Sequence, residues 1–293
     1  MRALGLFLLI LGAGILPVGA DDEKSYEIKL KPEAVGDRTK VTKSDVSKNT
    51  AIIELMGQKS ENVEKKTTKF SYTEELLERD VKARVSTKLK RTYTQAEKTV
   101  DGEKTEFSYA KQTVLIKRID GKFTFTVNGD ELDDDEAKDL DEEFNKKDEV
   151  PLHDEDLLPK KPVKIGESWV VDTAMVVKSF ESVVPFTLDV DKSKIVGKLL
   201  KVYPKDDKQF GTIEMKVTLV VKEFKLDGQE IEMKPGSTMV ITSIIDQCID
   251  GTSHAQEEKS SIKMDLTGEI PNGTLKIGAT AKLTKTIENI GKK

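Results

Sequence analysis

The stretch Val81-Lys82-Ala83-Arg84-Val85-Ser86-Thr87-Lys88-Leu89-Lys90-Arg91-Thr92-Tyr93 decides how this chain is read. Its odd positions carry Val81, Ala83, Val85, Leu89 and Tyr93 together with Thr87 and Arg91, while its even positions are Lys, Arg, Ser or Thr throughout. Successive side chains of a strand point to opposite faces, so this period of two describes a strand with one dry and one wet side. Ile213, Met215, Val217, Leu219 and Val221 repeat the pattern, as do Leu275, Ile277, Ala279, Ala281 and Leu283. Parallel strands, covered on both faces, read apolar throughout; these are antiparallel. At ~3.3 Å per residue the segment 81–93 spans roughly 43 Å, about twice an ordinary strand. Strands that long suit a curved, half-barrel-like sheet. Burying a side chain such as Val85 or Leu89 stabilises by about 1.5–3 kcal/mol, so the inner face needs a cover of protein or of ligand.

One segment departs from this period. After Asn128-Gly129, a two-residue hairpin signal, Asp133 and Glu136 form a capping-box pattern, and Ala137, Leu140 and Phe144 fall on one stripe. The spacing predicts an amphipathic helix over 134–147 that lies on the sheet by that stripe. Shorter helices are expected around 73–79 and 180–190.

An internal echo divides the chain. Lys31-Pro32-Glu33-Ala34-Val35-Gly36-Asp37 and Lys161-Pro162-Val163-Lys164-Ile165-Gly166-Glu167 share the pattern K-P-x-x-[VI]-G-[DE], each with a valine four residues further on (Val41, Val171). Proline fixes φ, the β-branched residue anchors the loop and glycine permits a positive φ before a strand begins. The echo reads either as duplication or as coincidence between two short turns. The fold expected is mainly β, with two related halves of long, curved antiparallel strands, 21–150 and 163–293, joined by the linker 151–162.

Residues 1–20, one arginine followed by an apolar run ending Val18-Gly19-Ala20, read as a secretory signal peptide cut after Ala20. An uncleaved anchoring helix is the other reading, disfavoured by the internal Gly and Pro. The mature chain is expected to be soluble in a periplasm or outside the cell, with no stable membrane span. With 48 basic and 53 acidic residues in 293, the net charge of −5 argues against nucleic acid as a partner. The single cysteine, Cys248, reads as a small buried hydrophobe and cannot form an intramolecular disulfide.

Around the second turn, Leu157-Leu158-Pro159-Lys160-Lys161-Pro162-Val163-Lys164-Ile165-Gly166-Glu167-Ser168-Trp169 resembles a family of exported bacterial proteins of unknown function that carry a mid-chain kPVkvGdsW signature. More loosely, long curved strands with a covering helix resemble the half-barrel lipoprotein carriers of the bacterial envelope. That likeness, one of fold alone, implies an apolar concavity that holds acyl chains. The family supplies no catalytic residues.

The residues themselves offer little chemistry. His153 and His254 are the only histidines, both in charged, loop-like contexts read as surface positions, and no G-x-S-x-G occurs. One Cys and two distant His exclude the usual zinc spacings. The acidic run 130–143 lacks the glycine of a calcium loop and reads as a solvated helix face. Trp169 reads as a core plug, with ligand stacking as the other reading. The function expected is therefore a non-enzymatic binding or carrier module, without cofactor or metal. Its apolar or amphipathic ligand, lipid or otherwise, would be held by Val85, Leu89, Trp169, Met175, Met215 and Leu219. A structural or protein-interaction module of the envelope, its core closed on itself, is the rival, and a hydrolase the third class.

Overall fold

A computed structural model describes residues 24–82, 84–145, 152–182, 184–226 and 229–291; the segment 1–20, expected to be a signal peptide, lies outside them. In chain order the strands are β1 Ser25–Tyr26, β2 Arg38–Leu55, β3 Gln58–Asp80, β4 Val85–Val100, β5 Glu103–Glu106, β6 Thr113–Ile119, β7 Lys122–Val127 and β8 Asp130–Glu131, followed by helix α1 Asp134–Phe144. Then come β9 Val163–Lys164, β10 Ser168–Val170, helix α2 Thr173–Glu181, β11 Phe186–Lys205, β12 Lys208–Leu226, β13 Gln229–Glu232, β14 Thr238–Cys248, β15 Gln256–Ile270 and β16 Gly273–Asn289. Among the described residues, fourteen strands form one open sheet in the order β10-β11-β12-β14-β15-β16-β2-β3-β4-β6-β7-β8, with β13 on β12 and β5 on β4.

Every neighbouring pair in that sheet is antiparallel, as the alternation requires. The last strand, β16, pairs with β2 along its whole length, from Gly273–Leu55 to Asn289–Thr39. Residues on both sides of the 151–162 segment thus belong to one continuous sheet. Asn128 and Gly129 take φ of +54° and +96°, the mirror-image turn that their sequence signalled. Register shifts at Leu76–Arg79 on β3 and at Asp189–Lys194 on β11 mark bulges, which bend the strands that carry them.

The two ends of the inner face are covered by protein. Over β4, β6 and β7, the helix α1 lays Ala137 and Leu140 on Leu89, Val114, Ile116 and Phe125. Asp133 accepts from the Glu136 N–H (2.9 Å) and Glu136 reaches back to the Asp133 N–H, the expected capping box. Over β11 and β12, α2 places Val176 and Val177 into two adjoining clusters that contain Ile195, Leu199, Met215 and Leu219.

The structure corrects several boundaries. Val81 is 79% exposed in a turn, and the strand starts at Val85. Residues 73–79 are part of β3, not a helix: 73–75 pair with both β2 and β4, and the stretch continues along β4 to Arg79. The second helix is 173–181, capped by the Asp172 carboxylate on the Ala174 N–H (3.0 Å), and β11 occupies the part of the expected helix from 186 to 190. The first helix stops at Phe144, where Asn145 turns its amide onto the Phe123 backbone (2.7 and 2.8 Å).

Trp169 sits on β10 with its ring over Gly197 of β11, where any Cβ would overlap the indole. Its Nε1–H donates to the Leu157 carbonyl (2.8 Å), which ties the 151–162 segment to the sheet. Gly197→Ala is expected to destabilise the fold by about 2 kcal/mol through overpacking. In urea unfolding, the same change combined with Trp169→Leu should cost less than the sum of the two single changes, because the smaller side chain frees the space.

Candidate functional site

Between the two covered ends, side chains from β14, β15, β16, β2, β3 and β4 line one hollow of about 630 Å³. Five strand spacings would separate β14 from β4 by roughly 24 Å in a flat sheet; sharing a hollow requires the face to be concave. Glu143 of α1 and the segment Leu152–Glu155 overhang it.

Strand register builds the floor row by row. One row runs Gln256, Ile287, Val41, Tyr72, Tyr93 and is largely apolar. The next runs Glu258, Lys285, Lys43, Phe70 and is mostly charged. A third brings Thr39, Glu74 and Arg91 together.

Arg91, at an odd position of the opening stretch, points inward and is 6% exposed. Its Nη1 and Nη2 donate to the two Glu143 oxygens (3.0 and 2.9 Å), and its Nε donates to Glu74. The guanidinium carbon lies 4.5 Å from the Tyr72 ring centre and 4.8 Å from that of Phe144. Burial alone would make this guanidinium easier to deprotonate, but Glu74 and Glu143 outweigh it and hold it charged. Glu143 is lowered in turn: burial raises it, and Arg91 more than reverses that. The Tyr72 and Tyr93 hydroxyls are pushed up chiefly by burial. Arg91→Met should lower stability by about 3 kcal/mol at neutral pH, since it strips two carboxylates of their cation. Arg91→Lys should recover only part of that in the same denaturation experiment, because an ammonium cannot grip Glu143 with a fork.

A second tie crosses the hollow's rim. The Asp37 carboxylate accepts from the Lys31 ammonium (3.0 Å) and the Ala34 N–H (2.9 Å), and pairs with His254 Nε2 at 3.0 Å. His254 is therefore not a solvated surface histidine: its side chain is 16% exposed and bonded to the turn that precedes β2. The echo turns share this local form. Gly36 and Gly166 have φ of +86° and +84°, Asp37 N–H and Glu167 N–H close onto Ala34 and Lys164 carbonyls, and each acid side chain accepts from the N–H three residues before it. Cys248 and Ser253, also in the wall, form their hydrogen bonds with Asp250 and with Ala255 and Asn289.

Burial works to raise the Asp37 pKa, but hydrogen bonds from His254, Lys31 and Ala34 prevail and hold it at about 2. A depressed carboxyl stabilises the fold above its unfolded pKa of about 4, and that contribution disappears as pH falls toward 2. Asp37→Asn should therefore be about 2 kcal/mol less stable than the parent at pH 6, at roughly 1.4 kcal/mol per pKa unit. The gap should close by pH 2 in chemical denaturation followed across pH.

Of the six residues singled out in the sequence, Leu89 lines this hollow. Val85 begins β4, half-buried, and is not among its lining residues. Trp169 and Met175 meet in a separate crevice of about 510 Å³ beside the 155–163 segment. Met215 and Leu219 are buried in protein, in the two clusters under α2. The structure thus separates residues that alternation alone placed on one face. In the sequence nothing marks Tyr72, Lys43 or Lys285; Asp37 reads only as part of a turn, His254 as a surface position, and Arg91 as inward without a role in a site. Asp37 and His254 are 217 residues apart, and no local pattern joins them.

No protein-family model and no curated protein matches the chain. Among solved structures, the chain is similar to the COG4313 outer membrane channel from Pseudomonas putida F1, at 10% identity and a TM-score of 0.19 over 88% of this chain and 97% of that one. It is also similar to a DUF1329 family protein from Desulfovibrio piger, at 9% identity and a TM-score of 0.12 over 84% and 85%. At such TM-scores neither likeness bears on function. No helix among the described residues is long and apolar enough to cross a membrane.

Proposed function

We propose that the chain is an exported, non-enzymatic binding or carrier module of a cell envelope, and that the hollow between its two helix-covered ends holds an amphipathic ligand. The observation that carries this reading is the hollow itself. Its volume of about 630 Å³ falls within the usual range of ligand sites. Its wall sets Leu76, Leu89 and Tyr93 against ionised groups, so a wholly apolar ligand would leave charges dry and a wholly polar one would leave apolar surface wet. The rival, a structural or protein-interaction module, draws on the clusters that α1 and α2 already close.

The test is protein purified without detergent from an envelope fraction, extracted with organic solvent and analysed by mass spectrometry. An amphiphile at near-stoichiometric amount is the expected result. The stripped protein should enhance the fluorescence of the neutral dye N-phenyl-1-naphthylamine, and Leu89→Gln should weaken that binding at least fivefold. An empty extract together with no dye response would favour the interaction module.

A further inference from the structure

Lys43 of β2 and Lys285 of β16 stand directly opposite each other at the seam of the sheet, both half-buried and both lining the hollow. Like charges in directly opposed positions repel, so the pair costs stability in the empty protein. The wall's other lysine and arginines are matched: Lys31 to Asp37 (3.0 Å), Arg79 to Glu33 (2.6 Å), Arg84 to Glu155 (2.9 Å) and Arg91 to Glu74 and Glu143. Among the described residues neither Lys43 nor Lys285 forms an ion pair. The acids that face them, Glu258, Glu143 and Asp154, lie outside ion-pair distance. Glu258 stands opposite Lys285 on β15 and accepts from Ser260 (2.6 Å), Glu143 is gripped by Arg91 while both lysines act on it from further off, and Lys285 acts likewise on Asp154. On the next strand Phe70 lies beside Lys43, and beyond it the wall continues through Tyr72, Leu76 and Leu89.

We propose that Lys43 and Lys285 together receive the anionic head group, a carboxylate, phosphate or sulfate, of an amphiphile whose tail lies along Phe70, Tyr72, Leu76 and Leu89. This rests on the carrier reading of the same hollow and names its ligand class. Two ammonium groups projecting from adjacent strands, about 5 Å apart at the backbone, suit a single oxyanion head, and its charge would relieve their repulsion.

The experiment is displacement of N-phenyl-1-naphthylamine at neutral pH by dodecanoate, dodecyl phosphate or dodecyltrimethylammonium, each below its micelle concentration, with inorganic phosphate as a fourth competitor. The parent protein should bind the two anionic amphiphiles at least tenfold more tightly than the ammonium compound and ignore inorganic phosphate. Lys43→Gln with Lys285→Gln should lose that preference at least tenfold while still binding the dye, which reports an intact hollow. Dye binding with equal competition by the anionic and cationic chains would overturn the head-group assignment and leave the carrier reading standing. Equal competition by inorganic phosphate would overturn the part assigned to the tail. Absence of dye binding in the parent would remove both readings.

Discussion

A sheet with strands of up to 23 residues has more inner face than two short helices can cover, and the rest of the structure follows from how that face is kept from water. Leaving a core-sized side chain exposed forfeits about 1.5–3 kcal/mol, so the apolar residues concentrate where cover exists. Leu140 of α1 and Val114 and Ile116 under it are at most 1% exposed, and Val176 of α2 with Ile195, Leu199 and Leu219 beneath it are equally dry. Where β15, β16 and β2 border the hollow the inward positions include Glu258, Ser260, Lys285 and Lys43, whereas Leu266 and Leu275 further along β15 and β16 are buried in the cluster that holds Val177 of α2. Composition thus tracks cover along a single face, and the hollow lies where cover stops.

Polar ties keep that hollow from collapsing or spreading. Arg91 links β4, β3 and α1 through Glu74 and Glu143, and its two flanking rings exclude water from the guanidinium. Asp37 and His254 join the turn before β2 to the loop before β15. Arg84 and Glu155 fasten the overhanging segment to the start of β4 (2.9 Å). Partly exposed pairs of this last kind contribute little stability each. Their effect is positional: they set the spacing between elements that share no backbone ladder.

An open sheet also has edges to protect. β3 runs past the end of β4, so Gln58–Glu64 has no strand partner on its outer side among the described residues. These residues are all exposed and include Lys59, Glu61 and Glu64, with Val63 the lone apolar side chain. Charges on such an edge discourage pairing with another chain. The protein can therefore keep its sheet open, as a hollow with an entrance demands, without inviting edge-to-edge association.

The alternation that opened the sequence analysis placed Leu89, Arg91 and Tyr93 inward, and all three are buried. It succeeded because side-chain direction in a strand is a local property, repeated at every second residue until a bulge intervenes. The capped helix at 134 was legible for the same reason, since its cap, stripe and dipole all lie within one segment. What escaped was set by distance along the chain. Alternation reports which face a side chain occupies but not what covers it, so Met215 and Leu219 read the same as Leu89, although α2 seals the first two and Leu89 borders the hollow. Lys43 and Lys285 each read as ordinary charges in alternating strands. Only the pairing of the last strand with β2 sets them side by side, and that pairing turns two unremarkable lysines into neighbouring ammonium groups on the wall of the hollow.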